Sequence, residues 1–332
     1  MKIVKAVSLF SGGLDSQLAV CLIKDQGIEV LGLNFASPFF GANEANYKAA
    51  EQLGIDLLTV DIGKEYIGEV LRKPVYGYGK NLNPCIDCHA YMLKKAGLFM
   101  QEHGASFLIT GEVLGQRPMS QNRSALNAVD KLSGCKGLTL RPLSARLLPE
   151  TIPETEGWID RSRLLDISGR SRTRQMELAD KFGIQDYPSP AGGCLLTDEN
   201  FSRRIKPLLA IRDEIDPLEI EVYKVGRHFI LEGNHLLVVG RKHSENERLQ
   251  EIAGESDYLL KVVDRPGPLA LLRSPDGVPC QQELEYAAAI VARYSDAKNE
   301  PLATLKVFQT GSEDCQTLTV APLPPEQVPA TV

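Results

Sequence analysis

Along the first third of the chain, short apolar runs are separated by stretches with helical spacing. Residues 3–10, IVKAVSLF, form a β-rich run, and a helical pattern follows through Leu18, Val20, Leu22 and Ile23. Residues 28–35 predict a second strand, 43–53 a helix closed at Gly54, and 56–60 a third strand. A helix over 88–103 closed at Gly104 comes next, then a strand over 107–110. Glycine just past a helix accepts the left-handed conformation that ends it. Strands alternating with helices predict an α/β fold, a parallel sheet sandwiched by helices.

After Gly111 the texture changes. Residues 111–200 are rich in Arg, Pro and Ser, and only residues 171–182 read clearly as a helix. From about Pro217 the pattern is strand-like over 220–225, 228–231, 235–239, 258–263 and 269–272, followed by a helix over 281–294 and a strand over 304–308. This predicts a separate C-terminal α+β domain. The divisions expected are a first domain over 1–185, a connecting segment over 186–217, the second domain over 218–320 and a Pro-rich, disordered tail over 321–332. A length of 332 residues suits two domains, and 43% hydrophobic residues suffice for two cores. No apolar run reaches the roughly twenty residues of a membrane span, and Met1 leads into the first strand without a cleavable signal pattern. With seven cysteines and no secretory signal, the expectation is a reducing, cytoplasmic setting with thiols free for chemistry or metal.

The string Ser11-Gly12-Gly13-Leu14-Asp15-Ser16 falls where the first strand ends and a helix begins. In a parallel sheet this is the ligand-binding edge. Two glycines let backbone N–H groups approach an anion, and the helix N-terminus favours phosphate. Ser11 and Ser16 can donate hydroxyls to phosphate oxygens, and Asp15 can hold Mg2+. The loop lacks the lysine and the longer spacing of a Walker A motif. A plain turn with Asp15 capping a helix is the alternative. Asn34 and Phe35, at the end of the second strand, are candidates for the adenine side or for ordinary packing.

Cys85 and Cys88 form a CxxC beside a predicted helix start, where the helix dipole favours thiolate. Cys194 lies in the glycine-rich run Pro190-Ala191-Gly192-Gly193-Cys194. A CxxC with one distant cysteine could hold a 4Fe-4S cluster, leaving one iron open to exogenous sulfide. A persulfide relay through Cys85 and Cys194 and a zinc site are the alternatives. Cys21 reads as core helix; Cys135, Cys280 and Cys315 have no evident partner.

The formal net charge is −6, which argues against a large nucleic-acid-coating surface. Its distribution changes that picture. Arg161, Arg163, Arg170, Arg172 and Arg174 lie in a stretch with Asp166 as the one acid, and Arg203, Arg204 and Lys206 follow. Such a run is either a solvated face or a strip that contacts phosphates. Arginines at the start of a helix oppose its dipole, which favours the second reading.

The Ser11–Ser16 string resembles the PP-loop of the ATP pyrophosphatases, which cleave ATP between the α and β phosphates and transfer AMP to an oxygen. That resemblance implies an adenine nucleotide α-hydrolase-like (HUP-type) sheet. It also implies ATP and Mg2+ at Ser11, Gly12, Gly13, Asp15 and Ser16, with Asn34, Phe35 and Gly111 beside them. Thr110-Gly111-Glu112-Val113-Leu114-Gly115-Gln116 is similar to a segment of the tRNA 4-thiouridine synthetases. Asn83-Pro84-Cys85 with Cys88 looks like the segment bearing the first active cysteine of the tRNA 2-thiouridylases, with Cys194 matching the second. In cluster-dependent tRNA thiolases, a CxxC and a distant cysteine hold the cluster.

Residues 225–246 and 285–298 resemble the RNA-binding domain of the NFACT family, which would make Arg241, Lys242, His243 and Asn246 an RNA-facing turn; a surface hairpin with a charged tip is the alternative. Together these likenesses imply ATP-dependent tRNA uridine thiolation. Asp15, Cys85 and Cys194 would be catalytic, and sulfide or a persulfide carrier protein would donate sulfur; a homodimer is compatible. The chain lacks the long N-terminal RNA-binding extension of typical 4-thiouridine synthetases and the usual tail of the 2-thiouridylases, so the uridine modified stays open. Amide or nitrile formation on a small molecule and a non-catalytic tRNA-binding protein are the competing readings.

Overall fold

The computed structural model describes residues 4–332 apart from 42, 189–192, 213, 264, 275–277 and 313–314. The chain divides into two units, Met1–Asp198 and Glu199–Val332. In the first, the elements in order are β1 (Lys5–Leu9), α1 (Leu14–Lys24), β2 (Glu29–Ala36), α2 (Glu44–Gln52), β3 (Leu57–Asp61), α3 (Gly63–Tyr66), α4 (Cys85–Glu102), β4 (Phe107–Thr110), α5 (Arg123–Ser133), β5 (Thr139–Leu140), α6 (Ile152–Thr155) and α7 (Thr173–Phe182). The strands form a five-stranded sheet in the order β3-β2-β1-β4-β5, and every pairing is parallel. Both faces are covered, as the near-continuous apolar runs require. One core gathers Ala6, Phe10, Val20, Ile23, Val30, Phe107 and Ile109. The other gathers Leu14, Leu18 and Leu22 of α1 with Val113, Leu143, Ile167 and Ala179.

Two differences from the sequence pattern bear on the site. The helix expected from residue 88 begins at Cys85, with Pro84 as its N-cap and the Cys88 amide bonded to the Pro84 carbonyl at 2.8 Å. Proline suits the edge of a helix because the first N–H groups have no intrahelical partner. Both residues of the CxxC thus lie in the first turn. Inside the Arg/Pro/Ser-rich stretch, α5 forms because Asn122 caps it, its side chain accepting from the Ala125 amide at 2.9 Å.

The second unit contains α8 (Glu199–Ile211), a 3-10 segment (Pro217–Lys224), β6 (Arg227–Ile230), β7 (Leu236–Val239), α9 (His243–Ile252), β8 (Tyr258–Val262), β9 (Leu269–Arg273), α10 (Gln281–Arg293), β10 (Ala303–Gln309) and β11 (Cys315–Val320). Its sheet is antiparallel, in the order β11-β10-β8-β9-β7-β6. Leu284, Ala287, Ala288 and Val291 of α10 pack on Phe229, Leu237, Leu260, Leu272 and Leu305. Two expectations fail here. Residues 220–225 are not a strand: Asp216 caps the segment by accepting from the Leu218 amide at 2.9 Å, and Pro217 follows at its first position. Residues 321–332 are not loose. The Leu323 amide bonds to the Ala289 carbonyl and the Val332 amide to the His228 carbonyl, both at 3.0 Å, while Leu323 and Val328 pack on the core. Among the described residues, no helix is long and apolar enough to cross a membrane.

Candidate active site

The strand order places a topological switch between β1 and β4, whose connections leave the sheet in opposite directions. Ligands of open α/β sheets bind in the crevice formed there. Leu9 stands in register with Thr110, so the loop after β1 and the turn after β4 are neighbours. Their approach is close. A Cβ built on Gly111 would lie 2.5 Å from both the Asp15 carbonyl carbon and the Ser16 amide nitrogen, so only glycine fits. Gly12 has φ +69°, which favours glycine, and Asn46 of α2 packs against it.

Side chains fasten the loop from several sides. Asn46 Nδ2 donates to the Ser11 carbonyl at 2.5 Å, Gln17 Nε2 to the Gly12 carbonyl at 2.8 Å, and Asn34 Nδ2 to the Phe10 carbonyl at 2.7 Å. Ser16 Oγ donates to the Gly13 carbonyl at 2.8 Å, and the exposed Ser11 carries its hydroxyl 3.4 Å from that of Ser16. Asp15 Oδ2 accepts from Gln116 Nε2 at 2.8 Å, while its Oδ1 is buried without a partner. A buried carboxylate oxygen left unpaired is costly unless something supplies positive charge. A divalent cation with oxygen preference fits that atom. Asn34 Oδ1 is likewise buried and unpartnered. Phe35 is buried in the sheet, in register with Val60.

The cysteine segments reach the same carboxyl edge. The Leu195 amide bonds to the Phe39 carbonyl at 3.0 Å, just beyond β2, and Asn81 Nδ2 donates to the Thr197 carbonyl at 2.7 Å. Residues 190–192 of the glycine-rich run lie outside the described residues. Burial drives the Cys88 thiol well above its usual value; Tyr66 draws it partly back, and Cys194 and Cys85 push it up again. Cys194 is pushed up to about 11, by burial first and then by Cys85 among others. The three sulfurs are therefore within electrostatic reach of one another, with the fully buried Tyr66 among them. Asn83 Nδ2 donates to Cys85 Sγ at 3.2 Å. Among the described residues no three ligating side chains stand ready around one ion. The donor set itself, three free thiols, suits an iron–sulfur cluster. Cys21 lies against the α1 core and Cys135 is buried, while Cys280 and Cys315 are exposed.

A second buried assembly joins these two parts and was not foreseen from the sequence. Glu112 Oε1 meets His89 Nδ1 at 2.8 Å, and Oε2 accepts from Arg141 Nε at 2.8 Å and Thr110 Oγ1 at 3.1 Å. Arg141 in turn grips both oxygens of Asp130, at 3.0 and 2.8 Å. Burial opposes the charge on Glu112, but Arg141 and His89 outweigh it and hold the carboxyl down at about 2. His89 is the partner of this carboxylate through Nδ1.

The arginine run is mostly engaged within the chain. Arg161 pairs with Glu154, Arg163 with Asp25 at 2.6 Å, and Arg174 with Asp166 at 2.9 Å. Arg172 lies over the Tyr187 ring at 6.0 Å and keeps a buried Nε without a hydrogen-bond partner. Arg170 is exposed, with no ion pair among the described residues. In the second unit, Arg203 donates to Asn200 at 3.3 Å, Arg204 is partly buried, and Arg241 pairs with Glu245 at 2.6 Å. Lys242 is exposed at the N-cap of α9.

Comparison with known proteins agrees with this anatomy. Residues 3–146 match the family model of the thiamine biosynthesis protein (ThiI), and residues 226–331 match that of the NFACT protein RNA binding domain. The tRNA-specific 2-thiouridylase MnmA of Pelobacter propionicus is 25% identical over 256 residues, covering 73% of this chain and 67% of the relative. MnmA of Listeria welshimeri is also 25% identical over 256 residues, covering 72% and 64%. The chain thus spans about two thirds of the length of these relatives. Among solved structures, the U34-tRNA thiolase NcsA of Methanococcus maripaludis with its 4Fe-4S cluster aligns at 16% identity and a TM-score of 0.32, covering 64% of this chain and 74% of that one. On its family models and sequence relatives, the chain is a PP-loop protein whose first unit resembles the tRNA thiouridine synthetases and whose second resembles the NFACT RNA-binding domain.

Proposed function

We propose that this protein is an ATP-dependent tRNA uridine sulfurtransferase. The observation that carries the reading is the gathering of the Ser11–Ser16 loop, the Cys85–Cys88 turn and the Cys194 segment at one edge of one sheet. The loop and the N-terminus of α1 receive the phosphates of ATP through backbone N–H groups, with the Ser11 and Ser16 hydroxyls beside them. Asp15, oriented by Gln116 and with a buried oxygen left unpaired, would hold the magnesium that accompanies them. The uracil carbonyl oxygen attacks the α-phosphate and pyrophosphate leaves. A carbonyl oxygen that would leave poorly now leaves as AMP, and sulfur takes its place. Charge builds on phosphate oxygens during the first step, so the fixed backbone donors should supply much of the stabilisation. A cluster held by Cys85, Cys88 and Cys194 would supply an iron site able to bind hydrosulfide. In the relay form of the reaction, a persulfide delivered by a carrier protein to Cys85 or Cys194 attacks the adenylated carbon and AMP leaves; the other thiol then breaks the S–S bond, which leaves the sulfur on the base and a Cys85–Cys194 disulfide for an external thiol to reduce.

The RNA would be held by the second unit, where Lys242 is free to meet phosphate, and by Arg170 and Arg172 of the first. Pyrophosphate release measured with and without bulk tRNA tests the class. Release that depends on tRNA, with a thiolated nucleoside found by mass spectrometry, is the expected result. Release indifferent to tRNA would mean a small-molecule substrate, and no release would mean a binding protein.

A further inference from the structure

The Glu112 assembly takes no part in the steps above, yet it connects the two places where they happen. On one side, Gly111 presses on the Asp15–Ser16 peptide so tightly that no Cβ fits between them. On the other, the next residue, Glu112, holds His89, which follows Cys88 directly on the first turns of α4. Both carboxylate oxygens are occupied, and Thr110, Arg141 and Asp130 fix the carboxylate from behind. A buried ion pair is a poor device for stability, since desolvation consumes most of its attraction; its better-attested use is to fix register. Here the register fixed is that of the cysteine turn against the nucleotide loop. The peptide at Gly111 cannot move without Glu112, and Glu112 cannot move without pulling on His89.

We propose that Glu112 is a positioning residue, a strut through which nucleotide on the Ser11–Ser16 loop sets the placement of the Cys85–Cys88 turn. This rests on the reading of the loop as an ATP site and adds that the site governs the thiols. Phosphates that draw the Asp15–Ser16 peptide inward shift the tip of β4, and His89 transmits the shift to α4. Nucleotide binding and thiol exposure are then linked, so each biases the other.

The test uses the full chain without metal. Alkylation of Cys85 and Cys194 by N-ethylmaleimide is followed by mass spectrometry, with and without an ATP analogue whose α and β phosphates are joined by a methylene group. Nucleotide affinity is measured in parallel. In the unmodified sequence, saturating analogue should change the Cys85 rate by about fivefold or more, the lower end of ordinary site-to-site coupling. Glu112→Gln keeps the shape but removes the carboxylate's second full acceptor; it should abolish the response while affinity stays within about threefold. His89→Gln, at a partly exposed side chain, should do the same and carries the test if Glu112→Gln does not fold. A merely structural Glu112 would lower stability and leave the response intact in the folded fraction, which overturns the proposal. So does an unmodified chain that binds analogue with unchanged thiol rates, although the ATP site then stands. Failure to bind analogue at all removes the ATP reading and the strut with it.

Discussion

The Ser11–Ser16 loop and the cysteine segments occupy the same sheet edge and are prepared in opposite ways. The loop is braced throughout: Asn46 and Gln17 donate to its carbonyls, Asn34 to the Phe10 carbonyl just before it, Gly111 backs it, and Gln116 orients Asp15. One carboxylate oxygen is left over, placed for a cation. The cysteines come from segments about a hundred residues apart, and burial holds Cys88 and Cys194 toward their neutral forms. On the proposed function, phosphate would be met by backbone groups that folding has already oriented. Sulfur chemistry needs thiolates, and here these await a partner that favours the charged form.

The largest effect expected is at the loop. Asp15→Asn should lower pyrophosphate release ~10²–10³-fold. Because Oδ1 of Asp15 is buried without a partner, the same change should leave the melting temperature unchanged or raise it. A variant that kept its activity would remove the contrast with the cysteines altogether. Next come the thiols. Cys88→Ser should abolish product and any brown chromophore of an anaerobic preparation if all three cysteines serve a cluster. Retention of most activity by this variant, with loss in Cys85→Ser and Cys194→Ser, would select the relay.

Gly111→Ala comes third. Its methyl group must displace the Asp15–Ser16 backbone, so stability in a denaturant titration should fall by about 1–3 kcal/mol. Unchanged stability would mean a softer loop than the contacts imply. The fourth effect appears in acid. Glu112 is held below its ordinary value, so its stabilisation is present above about pH 4.5 and is lost as pH falls toward about 2. Stability curves for the unmodified chain and Glu112→Gln should therefore converge over that range and diverge above it. The smallest effect concerns the RNA side chains. Arg170→Ala and Lys242→Ala should each weaken tRNA binding and reduce its logarithmic salt dependence by about 0.7–0.9. Arg163→Ala, which breaks the pair with Asp25, should change neither.

Much of this site could be read from the chain because it is local. A strand, two glycines and a helix start within a dozen residues specify the phosphate loop, and β4 occupies the residues its apolar run predicts. What escaped was long-range or masked. Asn46, Gln116 and Arg141 serve partners far away in sequence, and no spacing announces them. His89 meets Glu112 twenty-three residues on, a separation that no local pattern signals. The apolar content of the segment after Asp216 suggests a strand, although Asp216-Pro217 followed by Glu219 is a helix-start pattern. Helix α5 was hidden in a stretch whose arginines and prolines suggested loop.

The close approach at Gly111 has a consequence for synthesis. The string from Ser11 to Ser16 leaves the ribosome well before the strand that flanks it and the glutamine that aims its aspartate, which emerge only with Phe107–Gln116. A nascent or truncated chain ending before that point would carry every letter of the motif and none of the backing that shapes it. The loop therefore takes its shape only when two distant stretches of message have both been translated.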